Sequence, residues 1–272
     1  KDRVRFWKEI YTRYSSSQGV IHDTENLNII YEAVDFSDIN SKDELDEYQK
    51  RRQRIKRVKA LKRQVQARLK KISNYDNPTG LDGKDLKYWM LLKNNGVEDI
   101  SALSRYSRIR FQLGQRNYII RGIYYSGRFL QQIEKIFKEH GLPLELTRMP
   151  FVESSFNYRA RSKVGASGIW QIMPYTAKAY LKNNLVVDER NDPLKATEAS
   201  AKILKNNYRM LESWPLAVTG YNHGPTGVMR VVNKHNSNKL HELIEVDGFG
   251  FASSNFYASF LAILEIEKNA SK

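Results

Sequence analysis

The stretch Met149-Pro150-Phe151-Val152-Glu153-Ser154-Ser155-Phe156-Asn157, continuing as Tyr158-Arg159-Ala160-Arg161-Ser162-Lys163-Val164-Gly165-Ala166-Ser167-Gly168-Ile169-Trp170-Gln171-Ile172-Met173-Pro174, decides how the chain is read. Its one carboxylate, Glu153, stands among Met149, Phe151, Val152 and Phe156. An isolated acid in apolar company is costly to ionise, so its pKa should rise. A raised carboxyl pKa is what a general acid needs near neutral pH. Gly165-Ala166-Ser167-Gly168 is small enough for backbone or ligand to approach closely. Ile169 to Met173 then mixes aromatic surface with an amide, the combination a sugar ring needs. On spacing alone the plainer readings weigh more. A Glu after an apolar run is most often a helix-end surface residue, and Gly-Ala-Ser-Gly is most often a tight turn.

The chain around this stretch has 272 residues, 41% of them hydrophobic, enough for one large domain or two modest ones. The net charge of +15 and the pI near 9.7 make an anionic partner plausible: nucleic acid, anionic lipid or anionic cell wall. With no cysteine, disulfides, thiol catalysis and Cys-ligated metals are excluded. No segment is long and apolar enough to span a bilayer, and no signal peptide is visible. An N-terminal segment outside this sequence could still anchor the protein to a membrane.

Upstream, Phe6, Ile10 and Tyr14 recur at four-residue spacing, as on one helix face, with Ser15 to Gly19 as the stop. Leu27, Ile29, Ile30 and Tyr31 form a second apolar cluster. Ser41 to Ser73 reads as one long helix. Ser41 and Glu44 form a capping box, and Ile55, Val58, Leu61, Val65, Leu69 and Ile72 make one apolar stripe. Lys50 to Lys71 holds 12 Lys or Arg and no acid. A solvated outer face explains that run most simply, and a non-specific anion-binding strip is the functional reading. Without aromatics in the run, and with no nucleic-acid motif elsewhere, a nucleic-acid partner is not expected. Leu86 to Leu92 and Ile100 to Phe111 read as shorter helices, and Tyr118 to His140 as a long one closed by Gly141. A helix from Leu144 would be kinked by Pro150, leaving Glu153 near its C-terminus, where burial and the helix dipole both raise its pKa.

Downstream, Pro174 opens a helix expected to end around Leu185. Asp188, Glu189 and Asp192 read as caps and salt-bridge partners rather than metal ligands. Leu194 to Leu211 and Phe249 to Glu267 read as further helices. Neither a Ser/His/Asp order nor an HExxH motif occurs.

Taken together, these residues resemble the lysozyme-like soluble lytic transglycosylase (SLT) superfamily, related to goose-type lysozyme. The resemblance lies in Glu153-Ser154-Ser155-Phe156-Asn157, Ala160-Arg161-Ser162, Gly165-Ala166-Ser167-Gly168, Ile169-Trp170-Gln171-Ile172-Met173-Pro174 and, further on, Ala217-Val218-Thr219-Gly220-Tyr221-Asn222-His223-Gly224. Trp170 ahead of Gln171 is similar to the membrane-bound murein lytic transglycosylase D branch. The likeness is strong from about Gln132 to Ala262 and weaker upstream.

What it implies is a mainly α protein: an N-terminal helical region, residues 1–117, containing one long basic helix, and a lysozyme-like catalytic domain, residues 118–272. It implies cleavage of the β-1,4 bond between N-acetylmuramic acid and N-acetylglucosamine in peptidoglycan glycan strands, forming 1,6-anhydromuramoyl ends. Glu153 would be catalytic. Ser162, Gln171, Met173, Tyr221 and Asn222 would line the cleft. Where the family has Asn-Tyr this chain has Asn255-Phe256-Tyr257, so Phe256 and Tyr257 are both candidates for that contact. No metal or organic cofactor is implied, and the place of action would be the periplasm or the cell exterior. One rival is a lysozyme-type hydrolase using water and a second carboxylate such as Asp188, Asp192 or Glu245, acting even on de-N-acetylated glycan. The other is a non-catalytic wall-binding protein using the basic helix.

Overall fold

The structure, a computed structural model, describes residues 1–184 and 186–270. The chain divides into two compact units, Lys1–Arg116 and Asn117–Lys272.

In the first unit, α1 (Asp2–Thr12) buries Phe6, Trp7, Ile10 and Tyr11, while Tyr14 lies past its end. The next apolar segments are strands. β1 (Gln18–Asp23) pairs antiparallel with β2 (Ile30–Asp35) on one side and with β3 (Ile109–Leu113) on the other, in the order β2-β1-β3. The N-terminal helical region thus carries a small sheet beside its helices. Val20, Ile21, Ile30 and Val34 are β-branched and suit a pleated surface. Ile109-Arg110-Phe111-Gln112-Leu113 alternates apolar and polar residues at the two-residue period of a strand. The helix expected over Ile100 to Phe111 is accordingly only α5 (Ile100–Leu103).

Asp23 fixes the sheet. It is fully buried, and its Oδ1 accepts from the Glu25 and Asn26 N–H groups at 3.0 and 2.8 Å. Arg108, 85 residues away at the entrance to β3, donates to both carboxylate oxygens at 3.0 and 2.7 Å. A buried carboxylate is tolerated only when satisfied in this way.

After α2 (Ser37–Asn40), which uses Ser41 as its C-cap, the long basic helix α3 spans Glu47–Ile72. Its reciprocal cap is Asp46 with Gln49, not Ser41 with Glu44. The sequence offers the capping-box pattern twice, and the first copy is taken by α2. Val65, Leu69 and Ile72 are buried against Ile21, Ile29, Val34, Phe36 and Leu92 of α4 (Gly83–Asn94), with Val58 and Leu61 partly covered. Ile55 remains 44% exposed. Carboxylates outside α3 neutralise part of its charge: Arg57 pairs bidentately with Asp38 at 2.6 and 2.5 Å, and Arg68 and Lys71 both meet Asp85.

The second unit is helical. The pattern expected as one helix over Tyr118 to His140 is two: α6 (Arg116–Ser126) and α7 (Leu130–Glu139). The Ser126 hydroxyl donates to the Ile123 carbonyl at 2.8 Å and the Phe129 N–H to the Ser126 carbonyl, which turns the chain at Gly127-Arg128. A 3₁₀ turn (Leu144–Arg148) leads into α8 (Met149–Ser154). There follow α9 (Pro174–Ala177), a 3₁₀ turn (Glu189–Asn191), α10 (Pro193–Leu211), α11 (Trp214–His223), α12 (Pro225–His235), α13 (Leu240–Leu243) and α14 (Phe251–Ala270). The helix expected from Pro174 stops at Ala177, and its expected end, Leu185, lies outside the described residues. The core centres on Trp170, which stacks on Phe137 at 5.5 Å and 7° and donates from Nε1 to Thr197 Oγ1 at 2.8 Å. Among the described residues no helix is long and apolar enough to cross a membrane. The class is mainly α, as expected.

Candidate active site

Glu153 stands on α8, and the sequence around it fixes that helix at both ends. Pro150 lies in its first turn, where a missing N–H costs nothing. It therefore starts a helix here instead of kinking one. Arg148, just before, donates from Nε and Nη2 to Glu267 of α14 at 2.9 and 2.7 Å, and from Nη1 to Glu134 of α7. At the far end Ser155 and Phe156 both adopt positive φ, 51° and 56°. Two such residues in succession cost conformational energy, and the surrounding packing must hold them. Phe156 is fully buried with its ring edge-on to Phe151 at 4.7 Å, and the Ser154 hydroxyl donates to the Ile169 carbonyl at 2.9 Å.

The Glu153 side chain ends in a half-buried position. It has no hydrogen bond or ion pair among the described residues. Burial alone pushes its carboxyl from 4.5 up to about 8. The expected rise is present. Its cause is desolvation by burial. A carboxyl so shifted keeps its proton at neutral pH.

The glycine-rich loop is held from below. Arg190, 7% exposed, donates from Nη1 to the carbonyls of Gly165 and Ile172 at 2.7 and 3.0 Å. Its Nε and Nη2 engage both oxygens of Asp188 at 2.8 Å each. The Ser167 hydroxyl donates to Asn191 Oδ1 at 2.8 Å. Gly165 and Gly168 have φ of 93° and 77°, and at Gly168 the Arg190 carbonyl leaves no room for a side chain. The close approach expected of this run is thus to backbone. Asp192 caps α10 through the Leu194 and Lys195 N–H groups, and Glu189 pairs with Lys195 at 2.6 Å. The capping and salt-bridging read from Asp188, Glu189 and Asp192 is what they do.

The other candidate residues fall into three groups. Gln171 and Tyr221 meet at Trp170: the Tyr221 hydroxyl donates to the Trp170 carbonyl at 2.9 Å and bonds the Ser200 hydroxyl at 3.0 Å. Glu153 is close enough for its charge to help raise the Tyr221 phenol pKa, the larger cause being burial. Gln171, at a φ of 48°, donates both amide hydrogens to the carbonyls of Gly168 and Ala160 at 2.8 and 3.3 Å, so its Oε1 remains an acceptor. Met173 follows, 39% exposed. Ser162 belongs to the same loop, where its hydroxyl oxygen accepts from the Ala166 N–H at 2.9 Å. The third group lies on α11, which carries Asn222, and on α14, which carries Phe256 and Tyr257. Exposed Asn222 accepts from the Ser253 hydroxyl at 2.9 Å, and that hydroxyl also meets His223 Nδ1 at 3.1 Å. Phe256 is 6% exposed and is a core residue, while Tyr257 is half-buried with its phenol pKa raised by burial.

Arg190, Arg148 and Ser253 are supporting residues that sequence reading passed over. Asp188-Glu189-Arg190 carried a signal for the first, since an acid two residues from an Arg can close a bidentate pair. No local pattern marks Ser253. Among the described residues, no group of three His, Asp or Glu is placed to hold a metal ion.

Residues 132–244 match the family described as Transglycosylase SLT domain. The "Membrane-bound lytic murein transglycosylase D" of Escherichia coli (strain K12) is 37% identical over 97 residues, 35% of this chain and 22% of that protein. A protein of Alteromonas sp. (strain M-1) named for tributyltin chloride resistance is 33% identical over 117 residues, 41% of this chain and 56% of its own length. The chain thus spans only part of each of these relatives. Among solved structures, the lytic transglycosylase Slt of Pseudomonas aeruginosa aligns with a TM-score of 0.47 and 20% identity over 70% of this chain and 31% of that one.

Proposed function

We propose that the second unit cleaves peptidoglycan glycan strands as a lytic transglycosylase, with Glu153 as its single acid–base group. The observation that carries this reading is the isolated carboxyl of Glu153, protonated up to about pH 8, inside the segment that matches the SLT family.

Protonated Glu153 gives its proton to the glycosidic oxygen as the bond from C1 of N-acetylmuramic acid breaks. The electron deficit at C1 is met by the carbonyl oxygen of the neighbouring 2-acetamido group. Glu153, now a carboxylate, then takes the proton of the muramoyl 6-hydroxyl, whose oxygen attacks C1. The 1,6-anhydro ring closes, the acetamido group is released and Glu153 is protonated again, so one carboxyl serves where most glycosidases need two. Burial suits this cycle, because the ionised form is the less stable one and readily recovers a proton. Gln171 Oε1 can accept from an acetamido N–H, Met173 offers apolar surface to a ring, and Asn222, Ser162 and Tyr257 offer polar groups for further hydroxyls or amides.

Hydrolysis on the same site would need a second carboxylate to activate water. Of the candidates, Asp188 is engaged at both oxygens by Arg190 and Asp192 is engaged in capping α10. With Glu245 the one candidate left to test, the engagement of these two supports the anhydro product over a reducing end. Such a protein would work in the periplasm or outside the cell, where its substrate is.

Mass spectrometry of soluble products from purified peptidoglycan, with wild type beside Glu153→Gln, tests the proposal. Anhydro-ended fragments from wild type alone support it. Reducing-ended fragments move the protein to the hydrolases, and release of nothing by either protein overturns the enzymatic reading.

A further inference from the structure

The first unit contains a slot that the chemistry of Glu153 does not use. It has a volume of about 640 Å³ and runs between α3 and β3. Five cations line it, Arg51, Arg54, Lys59, Lys62 and Arg110, and no acid does. Its apolar surface includes Val58 of α3 and Ile109, Phe111 and Leu113 of β3. Ile55, the member of the α3 stripe left 44% exposed, also faces it.

Backbone geometry says more about the occupant. β3 is an edge strand. The Thr24 N–H donates to the Arg108 carbonyl and the Gly114 N–H to the Gln18 carbonyl. Even-numbered residues therefore bond toward β1, and the main-chain groups of Ile109, Phe111 and Leu113 point to the open edge. Two of those six groups are occupied: the Ile109 N–H donates to the Tyr106 carbonyl, and the Leu113 carbonyl accepts from the Gln112 side chain at 3.0 Å. The Ile109 carbonyl, both Phe111 groups and the Leu113 N–H have no partner on that side among the described residues. They alternate acceptor, donor, acceptor, donor, as a pairing strand requires. The residues that carry them are the ones that line the slot.

Charge gives the rest. Arg51, Lys59 and Lys62 have no ion pair among the described residues. Lys62 lies 4.0 Å over the Tyr106 ring, and burial together with nearby Arg110 lowers its pKa. Cations crowded against an apolar surface favour an anion arriving there. An unpaired edge is otherwise a hazard that proteins cover or blunt, and here positive charge keeps it from pairing with a second copy of itself.

We propose that the slot binds an extended acidic peptide, which adds to β3 as a fourth strand. Its aliphatic side chains lie on Val58, Phe111 and Leu113, and its carboxylates meet Arg51, Lys59 and Lys62. This does not depend on the reading of Glu153.

The test uses fluorescence anisotropy on the full chain with a labelled Val-Glu-Val-Glu-Val-Glu peptide at low salt. The comparison protein is Arg51→Glu with Lys59→Glu, both exposed side chains, against a charge-matched control outside the slot, Arg63→Glu with Lys70→Glu. The expected result is binding that weakens about tenfold or more in the slot variant and stays near wild type in the control. It is lost when alternate peptide amides are N-methylated. The Phe111 and Leu113 amide protons should become protected from exchange on binding. No binding of the probe overturns the proposal. So does equal loss in the two variants, or equal binding of the N-methylated peptide or of polyphosphate, either of which would reveal a plain electrostatic surface.

Discussion

The carbonyl oxygen of Arg190 occupies the space that a side chain on Gly168 would need. Gly168 also has a φ of 77°, a backbone conformation that side chains disfavour. The loop carrying Gln171 and Met173 is thus seated on the Asp188–Arg190 turn by direct backbone contact. Gly168→Ala should cost at least about 2 kcal/mol of stability, from strain plus the forced retreat of one backbone from the other. Urea denaturation measures it. Lytic activity should fall further than the folded fraction does, because the Gln171 acceptor moves with the loop. Unchanged stability and activity would show that the contact is not needed.

Arg190→Met should cost about 2–4 kcal/mol, since it strands two carbonyls and the Asp188 carboxylate. The loss should depend on pH. The bond from Arg190 is the largest cause holding the Asp188 carboxyl below its ordinary 3.8. A depressed carboxyl contributes stability that is present above the unfolded value and lost as pH falls through the folded one. The difference in melting temperature between wild type and Arg190→Met should therefore be full at pH 6 and shrink below pH ~3.8. A difference that is flat with pH would mean that the guanidinium serves only the carbonyls of Gly165 and Ile172.

Much of the candidate site could be read from the chain because its chemistry sits in contiguous runs. Glu153 to Asn157, Gly165 to Met173 and Tyr221-Asn222 are each short enough to recognise whole. What could not be read was what holds them. The Tyr221 hydroxyl on the Trp170 carbonyl, the Arg148 clamp on Glu134 and Glu267, and Ser253 bridging Asn222 and His223 all join residues far apart in sequence. In the first unit the long helix was legible from its stripe, although its start was not, because Asp46-x-x-Gln49 competes with Ser41-x-x-Glu44. The sheet was missed for another reason. β1 and β2 are six residues each, too short for periodicity to separate strand from helix, and the second partner of β1, β3, arrives only after α3, α4 and α5.

Glu153 should make the protein less stable at high pH. Its carboxyl is pushed from 4.5 to about 8 in the folded chain. Below 4.5 both states hold the proton and there is no cost. Between 4.5 and about 8 the unfolded chain ionises and the folded one does not, so stability falls, and above about 8 the penalty is constant. Glu153→Gln removes the titrating group at nearly equal size. The variant should match wild type at pH 4 and exceed it by roughly 2–4 kcal/mol at pH 9. Chemical denaturation at the two pH values decides. Equal stabilities at pH 9 would mean that the carboxyl is solvated and titrates as an ordinary glutamate.

The same titration fixes the shape of the pH–rate profile. If one carboxyl both gives and later retakes the proton, only its protonated form starts the cycle. The rate of soluble muropeptide release, measured on saturating peptidoglycan, should be level across neutral pH and fall about tenfold per unit above about 8, where Glu153 ionises. A second, ionised carboxylate would add an acid limb with its own pKa and give a bell. Two results are therefore decisive. A limb that rises through pH 4 to 5 would bring a second acid into the mechanism, with Glu245 to be examined first. A fall that begins near 4.5 would mean that the carboxyl of Glu153 is not held protonated in the working enzyme. A single limb near 8, together with loss of at least about a thousandfold in Glu153→Gln, would tie the buried acid seen on α8 to the bond-breaking step.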